Sequence, residues 1–142
     1  MKIITISSIV FLVLTTVWAC NTTKYSVDDL PDKQFYFGNG GGFTGAVNEY
    51  MLLENGQLFK HDAGDYTELP KVKKKKAAQL FKTYYDLKLD EFHFRRPGNM
   101  YYFLRMKDKD SEYYTSWGNP GVLPDSLIAV LYDDLMQLVQ KK

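Results

Sequence analysis

The chain has 142 residues and a formal charge of +1, with 18 Lys and Arg against 17 Asp and Glu. This balance argues against nucleic acid as a partner, because nucleic-acid-binding domains carry a marked basic excess. The single cysteine, Cys20, excludes an intramolecular disulfide and a thiolate-based structural zinc site.

Residues 1–19 have the layout of a secretory signal peptide. Lys2 supplies the positive start, and an apolar run from Ile3 to Val17 follows that is too short for a stable membrane span. The next residues, Trp18-Ala19-Cys20, complete a tetrapeptide that resembles the lipobox of bacterial lipoproteins. The resemblance implies cleavage before Cys20 and lipidation of its thiol and amine. An ordinary secretory signal with a free Cys20 is the alternative.

The mature chain is expected to be one domain on a short tether. Residues 20–33 comprise the lipidated cysteine and a polar segment that predicts a flexible tether, and residues 34–142 form a single globular domain. Several acyl chains anchor a protein durably to a membrane. The segment 21–24 lacks an acidic cluster of the kind that sends some lipoproteins to the cell surface. We therefore expect a lipid-anchored protein of a bacterial envelope that faces the periplasm.

The domain opens with three predicted strands, at residues 34–38, 46–53 and 58–61. The segment 39–45 between the first two contains four glycines, which favours a loop with positive-φ positions over a strand interior or a helix. Asn55-Gly56 is the strongest short signal for a hairpin turn and predicts that the second and third strands pair.

Two helices and a second hairpin complete the domain. Leu69-Pro70 predicts the start of a helix that ends near 87–90, with proline at its first position. Strands at 100–106 and 112–117 follow, and Pro124-Asp125 begins a last helix. The core-facing residues of that helix are expected to be Leu127, Ile128, Leu131, Leu135, Leu138 and Val139. The order β-β-β-α-β-β-α predicts an α+β fold, an antiparallel sheet of about five strands with both helices on one face.

The residues that carry chemistry do not form a recognisable catalytic pattern. His61-Asp62 imitates part of a base-orienter pair, but no serine lies in a Gly-x-Ser-x-Gly turn, and a surface histidine at a hairpin end is the preferred interpretation. Asp108, Asp110 and Glu112 fit an acidic turn better than a calcium loop. The glycine run precedes a strand, whereas a dinucleotide fingerprint precedes a helix. We expect no catalytic residues, no metal site and no cofactor.

A basic cluster lies at the start of the first predicted helix. Four consecutive helical residues fan across about 300°, so its members do not share one face. One interpretation is a solvated helix start. The other is contact with anionic lipid headgroups or with an acidic partner surface. The cluster consists of Lys71, Lys73, Lys74, Lys75 and Lys76.

The sequence resembles the emfourins, small bacterial inhibitors of thermolysin-like metalloproteases. The resemblance is carried by Gly41-Gly42-Phe43-Thr44-Gly45, by Leu69-Pro70, by the tyrosine-rich hairpin and by Leu123-Pro124-Asp125-Ser126-Leu127. It implies a non-enzymatic protease inhibitor. The candidate contact loop comprises Gly40, Gly41, Gly42, Phe43, Thr44 and Gly45.

The sequence allows two interpretations of Phe43. A glycine-rich loop has a slim profile that enters a cleft, and Phe43 would then be its apolar anchor in the partner. Alternatively, Phe43 folds back as a core plug and the glycines only permit a tight loop. The alternative function is that of a structural or assembly lipoprotein that binds another envelope protein without inhibiting a protease.

Overall fold

A computed structural model describes residues 23–118 and 125–140 of the chain. Cys20, the proposed signal peptide and Leu123-Pro124 lie outside these residues. The described chain forms seven strands and two helices: β1 (Lys33–Gly41), β2 (Val47–Leu52), β3 (Leu58–Asp62), β4 (Asp65–Leu69), α1 (Lys74–Asp86), β5 (Arg95–Arg96), β6 (Met100–Asp108), β7 (Ser111–Trp117) and α2 (Ser126–Gln140).

The strands form one open sheet in the order β4-β3-β2-β1-β6-β7-β5. Every neighbouring pair is antiparallel except β5 and β7, which are parallel, so the sheet is mixed. The α+β class and the two helices are confirmed, but the count of about five strands and the purely antiparallel pairing are wrong. The missed strands are β4, an exposed edge strand with polar alternate positions, and β5, which has two residues. Neither has the apolar alternation that predicts a strand.

The register of β1 defines two ends of the sheet. Phe35 lies opposite Leu52, and Gly40 lies opposite Val47. The start of β1 therefore lies beside the β2–β3 turn at 53–57, which we call the Asn55 end. The β1–β2 loop, residues 42–46, lies at the opposite end, which we call the Phe43 end.

Both helices pack on one face of the sheet. Phe35 makes edge-to-face contacts with Phe81 and Tyr84 of α1, with ring centroids 5.6 and 5.1 Å apart. From α2, Ile128, Leu131, Tyr132 and Leu135 are buried in the same core. Burial of one such side chain contributes about 1.5–3 kcal/mol relative to exposure, which makes this face the main source of stability.

The helix boundaries follow from local hydrogen bonds. Leu69 pairs with Leu58 as the last residue of β4, and the Val72 N–H donates to the Gly56 carbonyl at 2.9 Å. These bonds keep the chain out of the helix until Lys74, so the expected start at Leu69-Pro70 is wrong. α2 begins as expected, because the Asp125 carboxylate caps it by accepting from the Leu127 N–H at 2.8 Å.

The predicted core face of α2 is partly wrong. Leu138 and Val139 pack against the core as expected, but the Leu127 side chain is exposed. Leu127 and Ile128 are neighbours about 100° apart around the helix, and Ile128 takes the core-facing position.

The helix-free face carries a second, smaller apolar cluster of Tyr36, Met51, Leu53 and Phe59. Tyr25 and Leu30 pack against it, so part of the segment expected to be a flexible tether contacts the sheet. Gln57 holds this segment by accepting from the Tyr25 N–H at 2.8 Å and donating to the Tyr25 carbonyl at 3.0 Å. Asn55 donates to the Thr23 carbonyl at 2.7 Å. The packed domain thus begins by Thr23.

Neither helix in the described ranges is long and apolar enough to cross a bilayer.

Candidate functional site

The expected loop at 39–45 is wrong for residues 39–41, which end β1 and pair with its neighbouring strands. The remaining glycine loop is a closed hairpin turn with an ordered backbone. The Gly41 N–H donates to the Ala46 carbonyl at 3.2 Å, and the Gly45 N–H donates to the Gly42 carbonyl at 3.2 Å. A further bond from the Gly42 N–H to the Asn99 carbonyl, at 2.8 Å, attaches the loop to the segment before β6. Thr44 adds a long bond, accepting from the Ala46 N–H at 3.4 Å. The loop is therefore held in one conformation despite its glycine content.

Gly40 and Gly41, the last two residues of β1, have different neighbours that leave no room for a side chain. Gly41 has φ of 96°, and a Cβ there would lie 2.0 Å from the Asn99 carbonyl oxygen. The backbone of the two strands could not approach as closely with any other residue. Gly40 has a different neighbour, because the Tyr101 side chain lies over it from β6.

Phe43 is fully exposed at the tip of this loop. The interpretation of Phe43 as a core plug is therefore wrong. Phe43 belongs to the turn beyond the last paired residues of β1 and β2, Gly40 and Val47.

Two further exposed apolar residues lie at the Phe43 end, on opposite faces of the sheet. Val47 begins β2, and Met100 begins β6 opposite Gly41. The Met100 sulfur is 3.1 Å from where a Cβ of Gly42 would lie, so it touches the base of the loop. We call Phe43, Val47 and Met100 the apolar tip. Sequence reasoning missed Val47 and Met100, because their closeness to Phe43 depends on the register of three strands.

An aromatic depression of about 320 Å³ lies on the helix-free face next to the apolar tip, with Val47 in both. Phe103 stacks on Tyr114 with centroids 5.9 Å apart, and the Arg95 guanidinium lies 5.2 Å from the Tyr114 ring centre. Tyr101 lines the same depression. Tyrosine and arginine with buried phenylalanine is the composition enriched at protein–protein interfaces.

A charged cluster lies on the helix-free face between the depression and β3. The Glu49 carboxylate contacts His61 Nδ1 at 2.6 Å and Arg105 Nη2 at 2.8 Å. Glu112 lies 3.7 Å from Arg105 on the other side. The Arg105 guanidinium also stacks on the Tyr36 ring, 4.1 Å from its centre. These contacts hold the face rigid below the depression.

His61 pairs with Glu49 and not with Asp62, so the His61-Asp62 pair that would imitate a base-orienter arrangement does not form. Adjacent residues of a strand point to opposite faces, and Asp62 lies by Lys60 at 3.8 Å. His61 also stacks on Tyr66, with centroids 4.4 Å apart. Among the described residues its hydrogen-bond partner is a carboxylate, and no serine or threonine hydroxyl is bonded to it. The carboxylate orients the imidazole, and among the described residues no hydroxyl lies in position to be activated by it.

Burial perturbs the tyrosine next to this cluster. Burial raises the pKa of Tyr36 above its ordinary value, with the hydrogen bond to Tyr66 acting in the same direction. Its hydroxyl donates to Gln34 Oε1 at 2.6 Å. Tyr36 is therefore a neutral structural donor at physiological pH. Within residues 23–118 and 125–140, no three metal-ligating side chains converge.

The lysine cluster lies at the other end of the molecule. Lys73 precedes the first residue of α1 and Lys74, Lys75 and Lys76 form its first turn, without an acidic residue in that turn. Lys76 lies 3.7 Å from Asp134 of α2. The aliphatic part of Lys71 lies near Gly56, so the cluster belongs to the Asn55 end. The structure does not bring the two candidate sites together.

Comparison of the sequence with protein-family models and with curated proteins gives no significant match. The resemblance to emfourins therefore stays a prediction carried by the residues quoted for it.

Proposed function

We propose that the protein is a lipid-anchored, non-enzymatic envelope protein whose domain binds a protein partner through the apolar tip. One observation carries the proposal: Phe43 is fully exposed on a hairpin whose backbone is fixed by hydrogen bonds at both sides of the turn. A large aromatic side chain held in water by an ordered loop is a favourable anchor for a partner pocket.

The energetics favour contact through this residue. Burial of a phenylalanine side chain contributes about 1.5–3 kcal/mol relative to its exposed state. An ordered loop loses little conformational entropy on binding, so more of this free energy appears as affinity. Val47 extends the apolar contact on the helix-free face, and the aromatic depression that it lines supplies a second contact area.

The specific form of the proposal is an emfourin-like inhibitor of a thermolysin-like metalloprotease. The Gly-Gly-Phe-Thr-Gly segment that carries the resemblance is the turn that presents Phe43. Glycines on both sides of the side chain leave a narrow backbone, which suits entry into a protease cleft. The inhibitor would act by occupying the cleft, so it requires no reactive group of its own.

The test uses the full mature protein in detergent micelles, mixed with thermolysin and a peptide substrate. Inhibition that Phe43→Ala weakens at least tenfold would support the inhibitor. Phe92→Ala is the matched control, because Phe92 is an exposed phenylalanine outside the apolar tip. Full protease activity with saturating protein, and no complex, would reject the inhibitor form.

A pull-down from the native envelope tests whether the domain binds an envelope protein through Phe43 even if it does not inhibit a protease. Capture of an envelope protein that depends on Phe43 but not on Phe92 would support an assembly lipoprotein that uses the same tip. Identical captured proteins with wild type and Phe43→Ala would overturn the apolar tip as the contact site.

A further inference from the structure

The point where the chain enters the domain and the lysine cluster lie at the same end of the sheet. Thr23 is bonded to Asn55, and the next residue, Gly56, accepts from Val72 within the segment that carries the lysines. Cys20 precedes Thr23 by three residues, which span at most about 11 Å. A lipid on Cys20 would therefore hold the Asn55 end close to the membrane.

The lysine cluster carries an excess of positive charge at that end. Lys71, Lys73, Lys74 and Lys75 are exposed, and in the part of the chain that the structure describes they form no ion pair. Asp134 neutralises Lys76 only partly, and Glu54 is the acidic residue of the β2–β3 turn. Asp32, Asp108 and Asp110 also lie at this end, on the β6 side of β1. Lys33, Lys107 and Lys109 lie beside them and balance their formal charge, so the excess stays with the cluster. The helix macrodipole disfavours cations in a first turn. The folded domain alone thus offers no reason for this placement, whereas an anionic surface does.

We propose that the Asn55 end, with Lys71 and Lys73–Lys75, rests on the anionic phospholipid headgroups of the membrane that holds the anchor. The inference rests on the proposed lipidation of Cys20. Its ligand is a surface of phosphate-bearing headgroups, which attracts lysines within about a Debye length of 8–10 Å. This orientation directs the apolar tip away from the bilayer, because Phe43 lies at the opposite end of β1 and β2.

The experiment uses the mature acylated protein reconstituted in vesicles. One set contains phosphatidylcholine alone, and the other contains about 30% phosphatidylglycerol to supply the anionic charge. A short pulse of amine acetylation, mapped by mass spectrometry, reports the accessibility of each lysine. Lys60 is the internal control, because it lies level with Phe37, halfway along β1 from the Asn55 end, and is partly exposed.

Acetylation of Lys73–Lys75 is expected to fall several-fold in the anionic vesicles relative to the neutral ones, with Lys60 unchanged, and to recover in high salt. Lys71 is expected to show the same dependence and to lose it in a Lys73→Glu/Lys74→Glu/Lys75→Glu variant. The variant should remain folded because the macrodipole favours acidic residues at a helix start, and circular dichroism checks this. Lys60→Glu should leave the protection intact.

Equal acetylation of the cluster in both vesicle types would overturn the orientation while leaving the anchor in place. Protection found only in native envelope membranes, and removed by stripping their proteins, would overturn it in favour of an acidic protein partner. Flotation with neutral vesicles after a salt wash tests the anchor separately. A protein that does not float has no lipid anchor, and the orientation fails with it. Phe43→Ala is expected to change neither result.

Discussion

Tyr101 lies directly over Gly40 in the neighbouring strand, so that a Cβ on Gly40 would meet the Tyr101 hydroxyl at 2.6 Å. The aromatic ring covers a stretch of β1 that has no side chain of its own. Such cover shields the backbone of a glycine-rich strand from water and stabilises its pairing.

The glycines of the hairpin are expected to differ in their tolerance of alanine. Gly41→Ala should lower the free energy of unfolding by at least about 2 kcal/mol, because a positive φ is combined with a backbone clash. Gly45 also has a positive φ, of 63°, but nothing lies within 4 Å of its would-be Cβ. Gly45→Ala should therefore cost only about 1 kcal/mol. Urea unfolding measures both, and equal losses would contradict the close approach at Asn99.

Phe43→Ala should leave stability unchanged within about 0.5 kcal/mol, because the side chain has no packing to lose. Phe35→Ala, a truncation in the helix-face core, should cost about 3–5 kcal/mol. Thermal melting of the two variants checks the contrast. A marked fall in melting temperature for Phe43→Ala would restore the core-plug interpretation.

Glu49→Ala should lower the free energy of unfolding by about 2 kcal/mol, since it leaves His61 and Arg105 without their shared, largely buried carboxylate. Glu112→Ala is the matched control. Its carboxylate is half-exposed and 3.7 Å from Arg105, so its loss should cost less than about 1 kcal/mol. Chemical denaturation measures the loss of unfolding free energy in both variants. Equal losses would contradict the role of Glu49 as the shared carboxylate.

Gln57→Ala should release the N-terminal segment from the sheet. The buried amide holds both the N–H and the carbonyl of Tyr25, so amide exchange at Tyr25 should accelerate about tenfold or more. Lys24→Ala removes only an exposed ion pair to Glu68 and should leave that protection intact. Hydrogen-exchange mass spectrometry distinguishes the two. Unchanged exchange in Gln57→Ala would show that apolar packing alone holds the segment.

Alkaline pH should unfold the domain through its buried tyrosines. Burial raises the pKa of Tyr132 to about 12 and raises the pKa values of Tyr84 and Tyr85 as well. Their unfolded pKa is about 10, so the stabilisation is complete below pH 10 and declines between about pH 10 and 12, as the unfolded state loses protons first.

Tyr132→Phe tests this alkaline linkage. The variant removes one titrating group, so its stability should fall less steeply with pH above about 10 than that of the wild type. Urea unfolding at a series of alkaline pH values measures the slopes, and tyrosinate absorbance reports the titration itself. Identical slopes would show that Tyr132 does not contribute.

Local signals in the sequence predicted much of the fold. Asn55-Gly56 and the periodicity of the last helix each act over a few residues, so that hairpin and α2 were predictable. The glycine run predicted the turn but not the pairing of residues 39–41 within β1. β4 was not predicted because an exposed edge strand carries polar residues at alternate positions. Register could not be predicted, and it decides the site: Arg105 meets Glu49 although 56 residues separate them in sequence. Phe43 was ambiguous because its exposure depends on the loop conformation, which is fixed by hydrogen bonds to Ala46 and to the distant Asn99.

The central strand also sets a molecular height. β1 has nine residues, which at about 3.4 Å each gives a standoff of about 30 Å between the two ends of the sheet. A domain resting on lipid at its Asn55 end would hold the β1–β2 hairpin at that distance above the headgroup layer. It would meet proteins that project equally far or that diffuse past the membrane. Proteins that stay close to the bilayer surface could not contact Phe43. The length of β1 therefore limits which membrane proteins the domain can bind.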